Sequence, residues 1–464
     1  MYNLITNFEP SNEIFDVVRQ FEQYISNSVI EHTVKVKNSV VNNLIKIDGV
    51  CYDFSDVLIF SGDDLLEKRD YKRKCKSAVY FALRNHTKVK MPWGSLTGIR
   101  PTKLAYEYLD DGGNIDELEE FMLKKYDLTP QKSNLLKKIV LCQAEYMVDP
   151  ERYVNLYVHI PFCTTKCTYC SFVTHIVDKH RCYLAEYTDR LCEEISNSIN
   201  IIRDSGQEIY SIYIGGGTPT ALDDDNLEKV LKACSGFNVE FTCEAGRPDT
   251  ITESKFNLMK KYGVTRVCVN PQTLNQKTLD LIGRRHSVSQ FFETYKIAKN
   301  CGFDVNIDLI AGLQGETFED FKYSLDEVLK LNPENITVHT LSIKNGSELK
   351  NSGGTNNLDV EKMVEYAQNV VCQYGYDPYY LYRQKQMLGN FENVGYCRKG
   401  KQCANNITTM EERLSVVACG AGAISKRVFA SQNRIERYAN LRDVKLYLEN
   451  FDEREQKKAN FFKN

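Results

Sequence analysis

YVHIPFCTTKCTYCSF, residues 157–172, joins two patterns that belong together at the end of a buried strand. Its first part is short, apolar and β-prone, and a proline closes it. Its second part spaces Cys163, Cys167 and Cys170 as C-x3-C-x2-C. Three thiolates on one loop suit a [4Fe–4S] cluster whose remaining iron has no protein ligand and is open to a small molecule. Structural zinc takes four ligands. His159, His175 or Cys182 would complete such a set, so counting alone leaves zinc open. The strand-to-loop position and Tyr169 beside the third cysteine favour the cluster.

On either side of this loop the chain has a rhythm. Apolar strand-like runs recur at 156–160, 209–214, 239–243, 266–270, 305–310 and 336–341. Helical periodicity lies between them, at 183–202, 225–234, 252–262, 289–301 and 318–331. Each strand-plus-helix unit takes roughly 30 residues, the length of a βα crossover. Alternation of this kind predicts parallel strands with helices packed across them. Six units fall short of the eight of a closed barrel, so the fold class expected is α/β, an open partial (β/α)6 barrel. Its active site belongs at the C-terminal strand ends. The polar and Gly-rich segments CTTKC, GGGTPT, EAGRP, NPQT and AGLQGE stand there.

The rest of the chain bounds the answer. A length of 464 residues allows about three domains at roughly 150 residues each. We expect an N-terminal accessory α/β domain over 1–150, the partial barrel over 151–345, and a mainly helical, substrate-covering domain over 346–464. The N-terminal part shows strand alternation in 32–47, a turn at Asp48-Gly49, helices over 72–85, 116–125 and 129–147, and a Gly/Pro-punctuated loop over 91–103. After 345 the pattern is less regular. A helix is expected over 358–374, a Gly/Asn-rich loop over 388–406, a strand and turn over 415–425, and a helical tail over 441–462. No apolar run is long enough to cross a membrane, and the first residues show no secretory signal. The sixteen cysteines are therefore read as reduced cytoplasmic thiols rather than a disulfide framework. A net charge of −3 argues against a globally basic nucleic-acid binder, and no RRM, KH or zinc-finger signature is present.

The cysteine segment resembles the cluster motif of radical S-adenosylmethionine (SAM) enzymes. More narrowly, Tyr157-x-His159-Ile160-Pro161-Phe162-Cys163 is similar to the oxygen-independent coproporphyrinogen III oxidase family. GSLTGIRPTK and LGNFENVGY (388–396) resemble its HemZ-type coproporphyrinogen dehydrogenases, and the likeness covers most of the chain. The resemblance implies a [4Fe–4S] cluster held by Cys163, Cys167 and Cys170, with SAM chelating the open iron. It implies SAM contacts at Tyr157, Tyr169, Gly216, Gly217, Thr218, Glu244, Gln272, Arg284, Asp308, Ser342 and Ile424. The glycine triplet would let backbone approach the ligand, and Glu244 would accept from ribose hydroxyls.

The implied reaction is oxidative decarboxylation of two propionates of coproporphyrinogen III to vinyl groups by 5′-deoxyadenosyl radicals, giving protoporphyrinogen IX. A flavodoxin- or ferredoxin-type donor would supply electrons. Four propionates call for cations. Residues 68–103 hold eleven Lys or Arg against the single acid Asp70, and Arg100 and Lys103 in GIRPTK are the candidates for substrate carboxylates. A solvated basic helix is the plainer reading of that stretch, and RNA backbone contact a third. One departure stands out. Better-known oxidases of the family carry a further cysteine two residues after the third ligand, where this chain has Phe172. Haem-chaperone relatives share the shorter motif but carry a His-Asn-x-x-Tyr-Trp segment, where this chain has Cys403-Ala404-Asn405-Asn406-Ile407. No histidine follows His339, and Trp93 is the one tryptophan. A haem chaperone is thus the competing class, and a radical SAM enzyme acting on another tetrapyrrole or on tRNA a further alternative.

Overall fold

The alternation that starts at the cysteine-bearing strand is realised in the computed structural model, which describes residues 2–60, 62–98, 100–172, 174–343, 359–384 and 387–463. The chain divides into two units, Met1–Lys138 and Ile139–Asn464. The boundary expected at 345/346 lies outside the described residues.

In the first unit, β1 (Asn3–Thr6), β2 (Val29–Lys37), β3 (Val40–Ile47) and β4 (Val50–Val57) form one sheet in that order. Alternate residues Ile30, His32 and Val34 of β2 and Val41, Asn43, Ile45 and Ile47 of β3 are buried, as period-2 patterning requires. Asp48 and Gly49 form the β3–β4 hairpin turn, both at positive φ, which a two-residue hairpin loop demands. The helix Asp64–Thr87 is longer than its sequence pattern suggested because Asp63 caps it, accepting from Leu65 N and Leu66 N. Much of the basic stretch is spent inside this unit. Lys72 and Lys76 pair with Glu13, Arg73 with Glu107, Lys74 with Asp70, and Arg84 and Lys90 with Asp127. The loop read over 91–103 gives way to the helix Pro101–Asp110, with proline at its first turn. Arg100 and Lys103 stand at that helix start, and Trp93 is buried.

The second unit is built on an eleven-stranded sheet. Its strands are β5 (Tyr153–Ile160), β8 (Glu208–Gly216), β9 (Glu240–Cys243), β10 (Arg266–Cys268), β11 (Asp304–Ala311), β12 (Asn335–Thr340), β13 (Asp377–Tyr382), β14 (Asn393–Cys397), β15 (Ser415–Cys419), β16 (Ile424–Phe429) and β17 (Arg434–Ala439). Two short strands, β6 (Phe162–Cys163) and β7 (His175–Ile176), bracket the cysteine loop. The six expected strands run parallel in the order β12-β11-β10-β9-β8-β5, and the sheet stays open. Helices Leu184–Asp204, Asp224–Ala233, Glu253–Lys261, Val288–Asn300 and Phe318–Lys330 supply the crossovers. Asp223 and Thr252 cap two of them, and capping boxes at Ser287/Gln290 and Thr317/Asp320 start two more.

The region after 345 contributes helices and also strands. The antiparallel pair β14–β13 covers the β12 edge, and parallel β15 followed by β16 and β17 covers the β5 edge. Residues 393–397, read as loop, are a buried strand instead. Gly395 sits under the Tyr380 ring, where a Cβ would fall 1.8 Å from a ring carbon. The residue that broke the pattern is thus what lets the strand pack.

One buried polar cluster ties the C-terminal helix Phe451–Lys463 to this sheet. Glu194 and Lys458 are essentially unexposed and pair at 2.9 Å. Glu194 also accepts from Gly420 N, Asn440 Nδ2 and Tyr447 Oη, each at 2.7 Å. Burial pushes its carboxyl up, but Lys458, Tyr447 and Gly420 outweigh that and hold it below the usual range. A depressed carboxyl stabilises the fold above its unfolded value and loses that contribution as acid protonates it. Lys458→Met is expected to cost about 3–5 kcal/mol, because it strands a buried carboxylate. In urea unfolding the loss should be largest near neutral pH and shrink on acidification through the carboxylate range.

Candidate functional site

The strand ends converge on a cavity of about 440 Å³. Cys163, Cys167 and Cys170 line it together with Tyr169, Gly216, Gly217, Thr218, Glu244, Gln272, Arg284, Asp308 and Ser342. They come from the loop after β5, from the ends of β8, β9, β10 and β12, from within β11 (Asp308), and, for Arg284, from the turn after the helix Gln276–Leu281. Two residues of the expected set stand apart. Tyr157 lies behind the wall, its ring 6.1 Å from that of Tyr213. Ile424 opens β16, 43% exposed, and does not line the cavity.

The cysteine loop is held by backbone. Gly217 N donates to Ile160 O and Thr218 N to Phe162 O, both at 2.7 Å. A Cβ on Gly217 would lie 2.5 Å from Phe162 O. Gly216 has φ +106°, and a Cβ there would meet the His159 ring at 2.4 Å. The triplet therefore serves the close approach of β8 to the cysteine loop, and two amides that a ligand was expected to use are bonded within the protein. Thr218 Oγ1 lies 3.3 Å from Cys163 Sγ, and Arg247 Nη1 donates to Cys167 Sγ at 3.7 Å.

None of His159, His175 and Cys182 lines the cavity with the three thiols. His159 Nδ1 is 2.7 Å from Ala421 O, His175 Nδ1 is 3.3 Å from His180 Nε2, and Cys182 is exposed. Among the described residues, no three His, Cys, Asp or Glu side chains converge as on one metal ion. The donor set of three thiols at one cavity wall fits an iron–sulfur cluster better than zinc.

The far wall is acidic and built for polar ligands. Glu244 accepts from Tyr213 Oη at 2.6 Å. Burial pushes its carboxyl up to about 7, against the pull of Tyr213 and the Gly216 amide. Asp308 accepts from Asn270 Nδ2 and Asn306 Nδ2, each at 2.7 Å, and faces His339 Nε2 at 3.6 Å. Burial raises it, but His339, the Asn306 amide and the Thr337 hydroxyl outweigh that, and it stays below the usual range. Gln272 has φ +69°, a conformation that non-glycine residues adopt at a cost. Its Oε1 is buried without a partner among the described residues. Arg284 donates to Tyr169 Oη, Gly246 O and Asn270 O, which leaves guanidinium N–H groups for a ligand. Unmet acceptors and donors around one cavity suit a polar, zwitterionic cofactor such as SAM. The residues that the sequence reading passed over are Arg247, Asn270 and His339. Arg247 stood in the quoted EAGRP segment, and only its contact with Cys167 marks it out.

Residues 157–328 match the Radical SAM superfamily. The oxygen-independent coproporphyrinogen-III oxidase-like protein HemZ of Bacillus subtilis is 37% identical over 410 residues, which is 85% of this chain and 82% of that protein. The chain belongs to the HemZ-type coproporphyrinogen-III oxidase-like family of radical SAM proteins. The superfamily's cofactors are a [4Fe–4S] cluster and SAM, as the cysteine triplet and the family resemblance led us to expect. The heme chaperone HemW of Bacillus subtilis is 34% identical over 199 residues, 41% of this chain and 51% of that one. The structure of the coproporphyrinogen III oxidase HemN from Escherichia coli superposes with a TM-score of 0.53 at 22% identity, covering 67% of this chain and 72% of that one. That likeness concerns the fold. No helix among the described residues is long and apolar enough to cross a membrane.

Two outcomes follow from this geometry. Gly217→Ala is expected to displace the cysteine loop, because the clash is with backbone, and iron bound per chain after anaerobic reconstitution should drop severalfold. Affinity for SAM, followed by calorimetry, should rise with pH across about 7 as Glu244 ionises. Glu244→Gln should flatten that profile and weaken binding by about tenfold, the worth of one charge-assisted hydrogen bond.

Proposed function

We propose that the protein converts two propionate side chains of coproporphyrinogen III to vinyl groups without oxygen, giving protoporphyrinogen IX. The observation that carries this is the likeness to HemZ along most of both chains, with the three thiols and the polar cofactor wall in one cavity. When bound, the reduced cluster and SAM supply a radical that abstracts hydrogen. Each propionate gives up a hydrogen atom from its β-carbon, one electron to an external acceptor, and carbon dioxide. A small electron carrier of the flavodoxin or ferredoxin kind serves as reductant.

The chain's own part is to bind, orient and exclude water. Gln272, Arg284, Glu244 and Asp308 hold the cofactor. Tyr380 and Tyr382 in β13 line the cavity where a pyrrole can lie. The two rings stack at 6.4 Å and 8°. A haem-chaperone role is the competing reading, favoured by the likeness to HemW and opposed by the absence of any histidine after His339.

The test is anaerobic reconstitution with SAM, dithionite and coproporphyrinogen III, reading 5′-deoxyadenosine and the porphyrinogens. Harderoporphyrinogen followed by protoporphyrinogen, lost in Cys167→Ala, is the expected result. Deoxyadenosine with unchanged porphyrinogen would move the substrate elsewhere. Stoichiometric haem binding without SAM cleavage would decide for the chaperone.

A further inference from the structure

Arg247 is buried at the end of the β9 segment, and its donors are spent in an unusual way. Nε and Nη2 bind the two oxygens of Asp249 at 3.2 and 3.3 Å. Nη1 donates to Thr165 O at 3.3 Å and to Cys167 Sγ at 3.7 Å. A guanidinium has five N–H groups, so the fork keeps one for anything else. This separates Arg247 from Arg284, whose remaining donors are free to meet a ligand. Arg247 is directed at the cysteine loop rather than at a substrate.

Its clamp is equally specific. Asp249 accepts from Thr164 Oγ1 at 3.3 Å, so the carboxylate binds the same loop that the guanidinium binds. Burial raises Asp249, but Arg247 and Arg284 outweigh it and hold the carboxyl below its usual range. The surroundings are net cationic. His286 is wholly buried beside these groups, with no partner for either ring nitrogen among the described residues. Burial, Arg284 and Arg247 push it down to about 3, so it adds no charge. Two guanidiniums thus face one carboxylate at the wall that carries Cys167.

We propose that Arg247 is a positioning residue of the iron–sulfur cluster, one that donates a hydrogen bond to the Cys167 sulfur and raises the cluster's reduction potential. Hydrogen bonds to cluster sulfurs and nearby positive charge favour the more negative, reduced state. Asp249 sets the angle of the fork so that one N–H reaches the sulfur. The assignment rests on the cysteine triplet holding the cluster.

The test is an EPR-monitored redox titration of anaerobically reconstituted full-length protein, with iron and sulfide counted first. Arg247→Gln is expected to load iron and to titrate lower by about 59 mV, a tenfold shift in the oxidised-to-reduced ratio for a one-electron couple. Arg247→Lys keeps a cation without the fork and should fall between Arg247→Gln and wild type. A midpoint unchanged at full iron content overturns the proposal. If Arg247→Gln does not load, Arg247→Lys is decisive alone: a lower midpoint supports the role and an equal one removes it. Wild-type protein that takes up no iron would instead overturn the cluster reading itself, and the role of Arg247 with it.

Discussion

The site depends on one close approach, that of the glycine end of β8 to the cysteine loop. Gly217 and Thr218 donate to Ile160 O and Phe162 O, and the spacing leaves no room for a Cβ. That contact places Thr218 against Cys163 and brings the loop over the ends of the neighbouring strands. A bulkier residue would have to push the loop away, and the three thiols would leave the wall that carries Glu244, Gln272 and Asp308. The glycines are therefore a packing constraint first. Only Gly216, with its φ of +106°, also needs glycine for its conformation.

Charge is arranged around that contact in two halves. The cysteine side holds Arg247 and Arg284 against Asp249, and burial together with the two guanidiniums keeps His286 neutral. The opposite wall holds Glu244 and Asp308, which share amide and hydroxyl donors from Tyr213, Asn270 and Asn306. The two carboxyls are driven apart, one up to about 7 and one below the usual range, because Asp308 has His339, the Asn306 amide and the Thr337 hydroxyl where Glu244 has a phenol and a backbone N–H. The cavity is thus positive at one end and acidic at the other.

Much of this was legible in the sequence, for a physical reason. Parallel strands buried on both faces read as continuous apolar runs, and their crossover helices keep a 3.6-residue period, so all six strands and five helices fell where the pattern put them. The cysteine spacing named the three thiols, and the family resemblance named nine further residues that line the cavity. What stayed hidden depends on partners distant in sequence. Residues 393–397 are a strand because β12 and β13 lie on either side, and Gly395 is there because of Tyr380. Five cations of the basic stretch, Lys72, Arg73, Lys76, Arg84 and Lys90, pair with Glu13, Glu107 and Asp127, acids that lie outside it in sequence. Arg247 is two residues from its own clamp and eighty from the sulfur it reaches, and no periodicity connects those positions.

His159 shows how far the consequences of packing run. By sequence it was a candidate metal ligand, four residues before Cys163. In the fold its Nδ1 meets Ala421 O, its carbonyl accepts from Tyr187 Oη, and its ring fills the space above Gly216. Burial keeps the imidazole below its ordinary pKa, so it donates as a neutral ring and brings no charge toward the thiols. Gly420 presses against the same carbonyl, where a Cβ would fall 2.2 Å away, and Gly420 N is held by Glu194. Glu194 in turn is neutralised by Lys458 from the last helix. The end of the chain is thus connected through Glu194, Gly420 and His159 to the glycine that supports the cysteine loop. Loss of Lys458 loosens the first link of that series. The C-terminal helix therefore belongs to the architecture of the site although it contributes no side chain to the cavity.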